Sequence, residues 1–138
     1  VERHHLKRGL LDFQDGVAGA AEYDLASLLQ DARRDLAPGL EHTMLERYLA
    51  AAPASCGPRD GIMSRYHLLA AQRHTRLMGQ FVRLMRRDGK AGYLTFMPRV
   101  ASQMQKALTD AGLAGIADYL DAELPGWRDA GRMLDTLS

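Results

Sequence analysis

One helical period governs residues 61–88 and constrains everything around it. Ile62, Tyr66, Leu69, Ala70, Leu77, Phe81, Leu84 and Met85 recur along this stretch at steps that place them on one face of an α-helix. A helix this long with an apolar stripe must lay that stripe against other elements. "RRDGKAG" closes it, with basic residues in the last turn and Gly89 available for a left-handed C-cap.

The neighbours are also helical. "DLASLLQDARRDL", residues 24–36, places Leu25, Leu28, Leu29, Ala32 and Leu36 on one face, with Asp24 as the expected N-cap. "APG" breaks that helix, and a second is expected over 40–52, with Met44, Leu45, Tyr48 and Leu49 as its stripe. "PASCGPRDG" reads as a loop and the best linker candidate. A helix over 93–111 carries Pro98 near its start, and a short piece over 113–124 precedes Pro125. The tail, 125–138, is weakly patterned and is expected to fray. Only residues 7–13, "KRGLLDF", read as a strand. A lone strand cannot satisfy its own backbone groups, and no partner strand is evident downstream. The fold class expected is therefore mainly α, with one short N-terminal strand whose sheet lies elsewhere.

The bulk properties narrow the function. The 138 residues are 46% hydrophobic and 25% charged, ordinary for a globular domain with a real core. The net charge of +1 gives no reason to expect nucleic acid or an anionic membrane as partner. No apolar run reaches the ~18 residues of a membrane helix. The single cysteine, Cys56, rules out an internal disulfide and fits a reducing, cytoplasmic location. "VERHHLKRG" lacks the apolar segment of a signal peptide, and without an initial Met the chain reads as a fragment or a processed product.

Several side chains could carry chemistry. Asp12 and Asp15, in "LLDFQDGVAG", sit where an apolar run enters a glycine-spaced loop. Such carboxylates either end a strand and make a turn or hold a hard cation such as Mg²⁺. Gln72, Arg73 and His74 interrupt the apolar face of the long helix. A buried Arg must be paired, so Arg73 is either clamped to an acid such as Asp24 or Asp31 or turned toward a substrate in a cleft. His4, His5, His42, His67 and His74 match no compact zinc spacing. Arg83, Arg86, Arg87 and Lys90 make a basic helix end, read as a solvated face or as an anion site.

Two stretches carry a resemblance. "GLLDFQDGVAGAAEYDLASLLQDARRDL" and "LLAAQRHTRLMGQFVRLMRRDGKAGYLTFMPRV", in that order, resemble the aminoglycoside phosphotransferase/choline kinase-like family. Within it they are most similar to the bacterial branch containing the anomeric kinases of N-acetylmuramate and N-acetylglucosamine. The resemblance implies the C-terminal helical subdomain of a protein-kinase-like fold. Residues 1–18 would end the kinase-like core, 19–124 would form a helical acceptor-binding subdomain, and 125–138 a C-terminal tail. Asp12, in "DFQ", would be the carboxylate that holds Mg²⁺ against the ATP phosphates. Asp24, in "YDLA", would be the brace that hydrogen-bonds the catalytic-loop backbone. Asp15, Asp31, Gln72, Arg73 and His74 become candidates for binding the acceptor. The complete protein would then use ATP and Mg²⁺ on a small hydroxyl acceptor, a sugar or amino sugar. The balanced charge favours a neutral or anionic sugar over a polycation.

The departures from that pattern matter equally. The family's phosphate-covering strands, its Lys, and the His-x-Asp loop with its following Asn do not precede Asp12 here. The expectation is therefore that these 138 residues are inactive alone, no catalytic residue being among them, and depend on a missing N-terminal lobe or a contact with a second copy. A non-catalytic helical binding module, or a regulatory relative that binds sugar without transferring phosphate, is the competing expectation.

Overall fold

A computed structural model describes residues 18–129 of the chain. The strand expected over 7–13, with Asp12 and Asp15, lies outside the described residues, as does the tail beyond 129. Five α-helices make up the described part: α1 (Ala21–Leu29), α2 (Leu40–Ala51), α3 (Arg59–Asp88), α4 (Met97–Asp110) and α5 (Ala114–Glu123). Short 3₁₀ turns cover Ala54–Cys56 and Ala91–Phe96. The mainly α expectation holds for these residues, and no strand occurs among them.

Helix α3 is the spine. Its 30 residues span ~45 Å at about 1.5 Å per residue. It packs on α1 along one flank and on α4 along another. Tyr66, Ala70, Ala71, Met78 and Phe81 from α3 meet Ala26 and Leu29 from α1 and Met97, Val100, Ala101, Met104, Ala107 and Leu108 from α4. The buried alanines let the helix axes approach closely, and the methionines fill the remaining irregular space. Gly89 ends α3 at φ 65°, the left-handed conformation its position called for, and the N–H groups of Gly89 and Lys90 return to the carbonyls of Met85 and Leu84.

Two helix boundaries differ from expectation. The first helix starts at Ala21 and stops at Leu29, and its N-cap is Ala20 rather than Asp24. The stop has a local cause. The Asp31 Oδ1 accepts the backbone N–H of Arg33 at 2.9 Å, a turn that competes directly with helix continuation. Arg99 then pins the irregular segment to α4. It donates to both carboxylate oxygens of Asp35, each at 2.6 Å, and to the Ala32 carbonyl at 3.0 Å. Ala32 and Leu36 thus still reach the core, but from a loop.

The second difference is at 93–111, where a 3₁₀ turn precedes α4. Pro98 has no N–H to donate, so it suits the first turn of α4 and not the middle of a longer helix. Tyr93 and Phe96 in the turn pack against Phe81, with ring centroids 5.5 and 6.1 Å from it.

The segment after α5 does not fray over 125–129. Trp127 is 1% exposed, and its indole N–H donates to Asp121 Oδ1 at 2.8 Å. The Arg128 guanidinium lies 4.6 Å from the Trp127 ring centroid and also pairs with Asp121.

Candidate functional site

The polar residues within the α3 stripe diverge. Gln72 is exposed and faces a groove with Leu68, Leu108 and Ile116. Arg73 turns the other way, toward the end of α1. Its Nε donates to Ser27 Oγ at 2.9 Å, and its Nη1 donates to the Gln30 carbonyl at 3.1 Å. Arg73 is thus a clamp, but its partner is the negative end of a helix and not the carboxylate of Asp24 or Asp31. Burial pulls its pKa down from the ordinary guanidinium value. Asp24 is exposed on α1, and no described residue hydrogen-bonds its carboxylate. Asp31 is occupied locally by the Arg33 N–H and by Arg34, whose Nε lies 3.3 Å away.

His74 is fully buried. Its Nε2 lies 2.7 Å from Gln30 Oε1, and its Nδ1 has no partner. Burial, with Arg73 beside it, pushes its pKa down to about 4, so the ring is neutral near pH 7. A neutral imidazole facing a carboxamide oxygen donates from Nε2. Gln30 passes the arrangement on: its Nε2 donates to Glu41 Oε1 at 2.8 Å and to Tyr66 Oη at 3.1 Å. Tyr66 in turn donates to Glu41 Oε1 at 2.9 Å. Burial and the neighbouring Glu41 carboxylate raise the Tyr66 pKa well above the usual phenol range. This relay ties α1, α2 and α3 together, and its anionic anchor is Glu41.

A second clasp lies at the start of α1. Glu22 is 3% exposed and accepts from Arg65 Nε at 3.1 Å and Nη2 at 2.7 Å. The same Arg65 Nη2 donates to the Cys56 carbonyl at 2.6 Å. The guanidinium hydrogen bonds hold the Glu22 carboxyl below its ordinary pKa. Sequence reasoning missed Glu22, Gln30, Glu41, Arg65 and Tyr66. Glu22 alone carried a signal, because it shares a helical face with Ala26 and Leu29 once the helix starts at Ala21.

Between the 30–39 loop, α2 and α4 lies a polar groove of about 260 Å³, lined by Gln30, Arg34, Asp35, Glu41, Gln103 and Lys106, with Leu36 and Pro38 beside them. Gln103 Nε2 reaches the Asp31 carbonyl at 3.5 Å, and its Oε1 is buried without a partner. Carboxylates, carboxamides and cations lie side by side here, a donor and acceptor mixture suited to a hydroxyl-rich solute. Asp31, Asp35 and Glu41 are each held by donors, so none stands free to serve as a base. No group of three His, Cys, Asp or Glu side chains among the described residues is arranged to hold a metal ion. No described helix is long and apolar enough to cross a membrane.

No family model matches the chain. Similar proteins do, and they share one description. Over 117 residues the chain is 40% identical to the N-acetylmuramate/N-acetylglucosamine kinase of Caulobacter vibrioides, covering 85% of this chain and 32% of that protein. The Pseudomonas aeruginosa protein of the same name is 33% identical over 127 residues, 88% of this chain and 37% of its own length. The Neisseria meningitidis one is 34% identical over 102 residues, 71% of this chain and 30% of its own. The chain therefore spans about a third of the length of the curated relatives it matches.

Proposed function

We propose that the chain is the C-terminal helical part of an ATP-dependent phosphotransferase of the aminoglycoside phosphotransferase type, acting on an amino sugar such as N-acetylmuramate or N-acetylglucosamine. The observation that carries this reading is the 40% identity over 85% of the chain to a kinase of those sugars. The kinase-like fold, the division into core end, acceptor subdomain and tail, and a cytoplasmic location belong to the same proposal.

Phosphoryl transfer depends on positioning and charge stabilisation. Asp12 offers the oxygen ligand that a hard cation takes, and the described helices contribute no metal cluster of their own. Bound there, Mg²⁺ would neutralise phosphate charge. Asp24 is the proposed brace for the catalytic loop, and its exposure on α1 leaves it accessible to a neighbouring segment. Arg73 and His74 take a positioning role in this reading. They fix the end of α1 and thereby the helix that carries Asp24. Full burial leaves His74 no surface to offer a sugar. Gln72 and Asp31 remain the acceptor-facing candidates, together with Asp15.

The test is an assay of ATP-dependent phosphorylation of both sugars by the complete protein and by the 138-residue chain. The complete protein should phosphorylate at least one sugar, Asp12→Ala should bring it to background, and the 138-residue chain should give no product. Turnover by the 138 residues alone, or a fully active Asp12→Ala protein, would overturn the reading.

A further inference from the structure

The flank of α3 away from α1 is unlike a solvated surface. Six large apolar side chains are exposed among the described residues, and four of them (Leu68, Ile116, Tyr119 and Leu124) belong to α3, to α5 or to the residue that ends α5. No residue of α5 is buried. Two adjoining apolar grooves run beside it and share Thr75. One, of about 440 Å³, is lined by Leu68, Leu108 and Ile116; the other, of about 280 Å³, by Met78, Leu124 and Trp127.

Charge is distributed unevenly around this face. Arg76, at the lip of the larger groove, continues along α3 into a basic hollow with Arg83 and Arg87. Helix α5 carries only acids among its charged residues, namely the exposed Asp118, Asp121 and Glu123. The face therefore presents an apolar groove with a basic lip and, next to it, an acidic helix with exposed apolar residues. The helix that this groove would accept is the one beside it. A surface that contains both complementary halves closes on itself through a two-fold axis.

We infer that the α3–α5 face is an interface between two copies of this chain, in which α5 of each copy lies in the groove of the other. Ile116 and Tyr119 enter the groove, and Asp118 and Glu123 meet Arg76 and Arg83 of the second copy. Both arrangements occur twice by symmetry. The inference rests on the grooves and charges of this face and stands apart from the phosphotransferase reading.

Sedimentation of the 138-residue chain across a concentration series tests it. A two-chain species is expected, with Kd rising several-fold when salt goes from about 0.05 M to about 0.5 M. Ile116→Asp should raise Kd at least ~100-fold, by placing a charge in the desolvated centre. Arg83→Glu should raise it about tenfold, and adding Glu123→Arg to the same chain should recover most of that loss. Thermal unfolding of each variant checks that the monomer is intact, and Arg83→Glu, on an exposed position, keeps the test open if Ile116→Asp does not fold. A monomer at all concentrations overturns the inference, as does a dimer that neither variant weakens. So does a monomer that dimerises only after Met133→Ser, Leu134→Ser and Leu137→Ser, because the chain's own last residues would then be the occupant.

Discussion

The two flanks of α3 solve the same problem in opposite ways. Toward α1 and α2, the helix faces its neighbours through hydrogen bonds: Arg65 to Glu22, Arg73 to the end of α1, and His74 through Gln30 to Tyr66 and Glu41. Toward α5 it presents a largely apolar groove, with polar contacts at Trp127, Arg128 and Asp121 among the described residues. Buried polar contacts are directional, so the α1 flank has one arrangement, which leaves His74 Nδ1, and Gln103 Oε1 at its edge, as the buried side-chain atoms without a partner among the described residues. Apolar contacts are tolerant of register, so outside the Trp127, Arg128 and Asp121 contacts the α5 flank is held by shape. The difference teaches which side is built to hold a rigid position and which is built to receive something.

Four experiments would break or sharpen that contrast. The largest effect is expected at the Trp127 lock of the apolar flank. Trp127→Ala should lower the unfolding free energy by about 3–5 kcal/mol in urea titrations, because it opens a cavity and removes the indole donor to Asp121. A loss below ~1 kcal/mol would mean that the closing segment lies on the core without stabilising it. Next comes acid. His74 in the folded chain titrates near 4, below its ordinary 6.5, so the unfolded chain binds more protons between those values. Its contribution is fully present above pH 6.5 and is lost as pH falls toward about 4, by about 3 kcal/mol in all. Glu22 adds a further loss at lower pH, since its carboxyl is held below the ordinary value and protonates only there. Chemical denaturation at a series of pH values should show the slope down to pH ~5, and His74→Asn should flatten it.

Tyr66→Phe should cost about 1–2 kcal/mol, since it removes the donor to Glu41 and one acceptor of Gln30 while keeping the ring. A neutral result would show that water replaces the hydroxyl and that the relay is looser than its geometry. The smallest effect is expected on the exposed lip of the other flank. Leu68→Ser, measured at concentrations where the chain is monomeric, should change stability by about 0.5 kcal/mol or less. A larger loss would mean that the groove is already filled within one chain.

Much of the skeleton was legible in the residues. The stripe from Ile62 to Met85 placed α3, Gly89 placed its end, and Pro98 marked the start of α4. What escaped were boundaries decided by side chains far apart. Asp31 turns the chain after Leu29, and Arg99, 64 residues from its partner Asp35, holds the loop that results. Leucines at helical spacing through Leu36 read as helix because Leu36 and Ala32 do reach the core, though by another path. Trp127 was invisible in a short segment with no period to extend. Among the candidate residues, the polarity of Arg73 and His74 beside an apolar stripe was legible in the sequence. Their partners were not, because a helix carbonyl and a glutamine leave no mark in sequence spacing.

The sequence by itself determined that the described part is helical, where its spine runs, and that it is similar to one segment of sugar kinases. Those follow from local periodicity and from residue identity, which need no partner to be read. The tertiary structure decided that Gln72 and His74, two residues apart, serve opposite surfaces. It also decided that Glu22, Gln30 and Glu41 meet Arg65, Tyr66 and His74, and that the α5 flank stays apolar and open. These depend on how helices are rotated against one another. A rotation of 100° per residue is enough to turn an adjacent side chain from core to solvent.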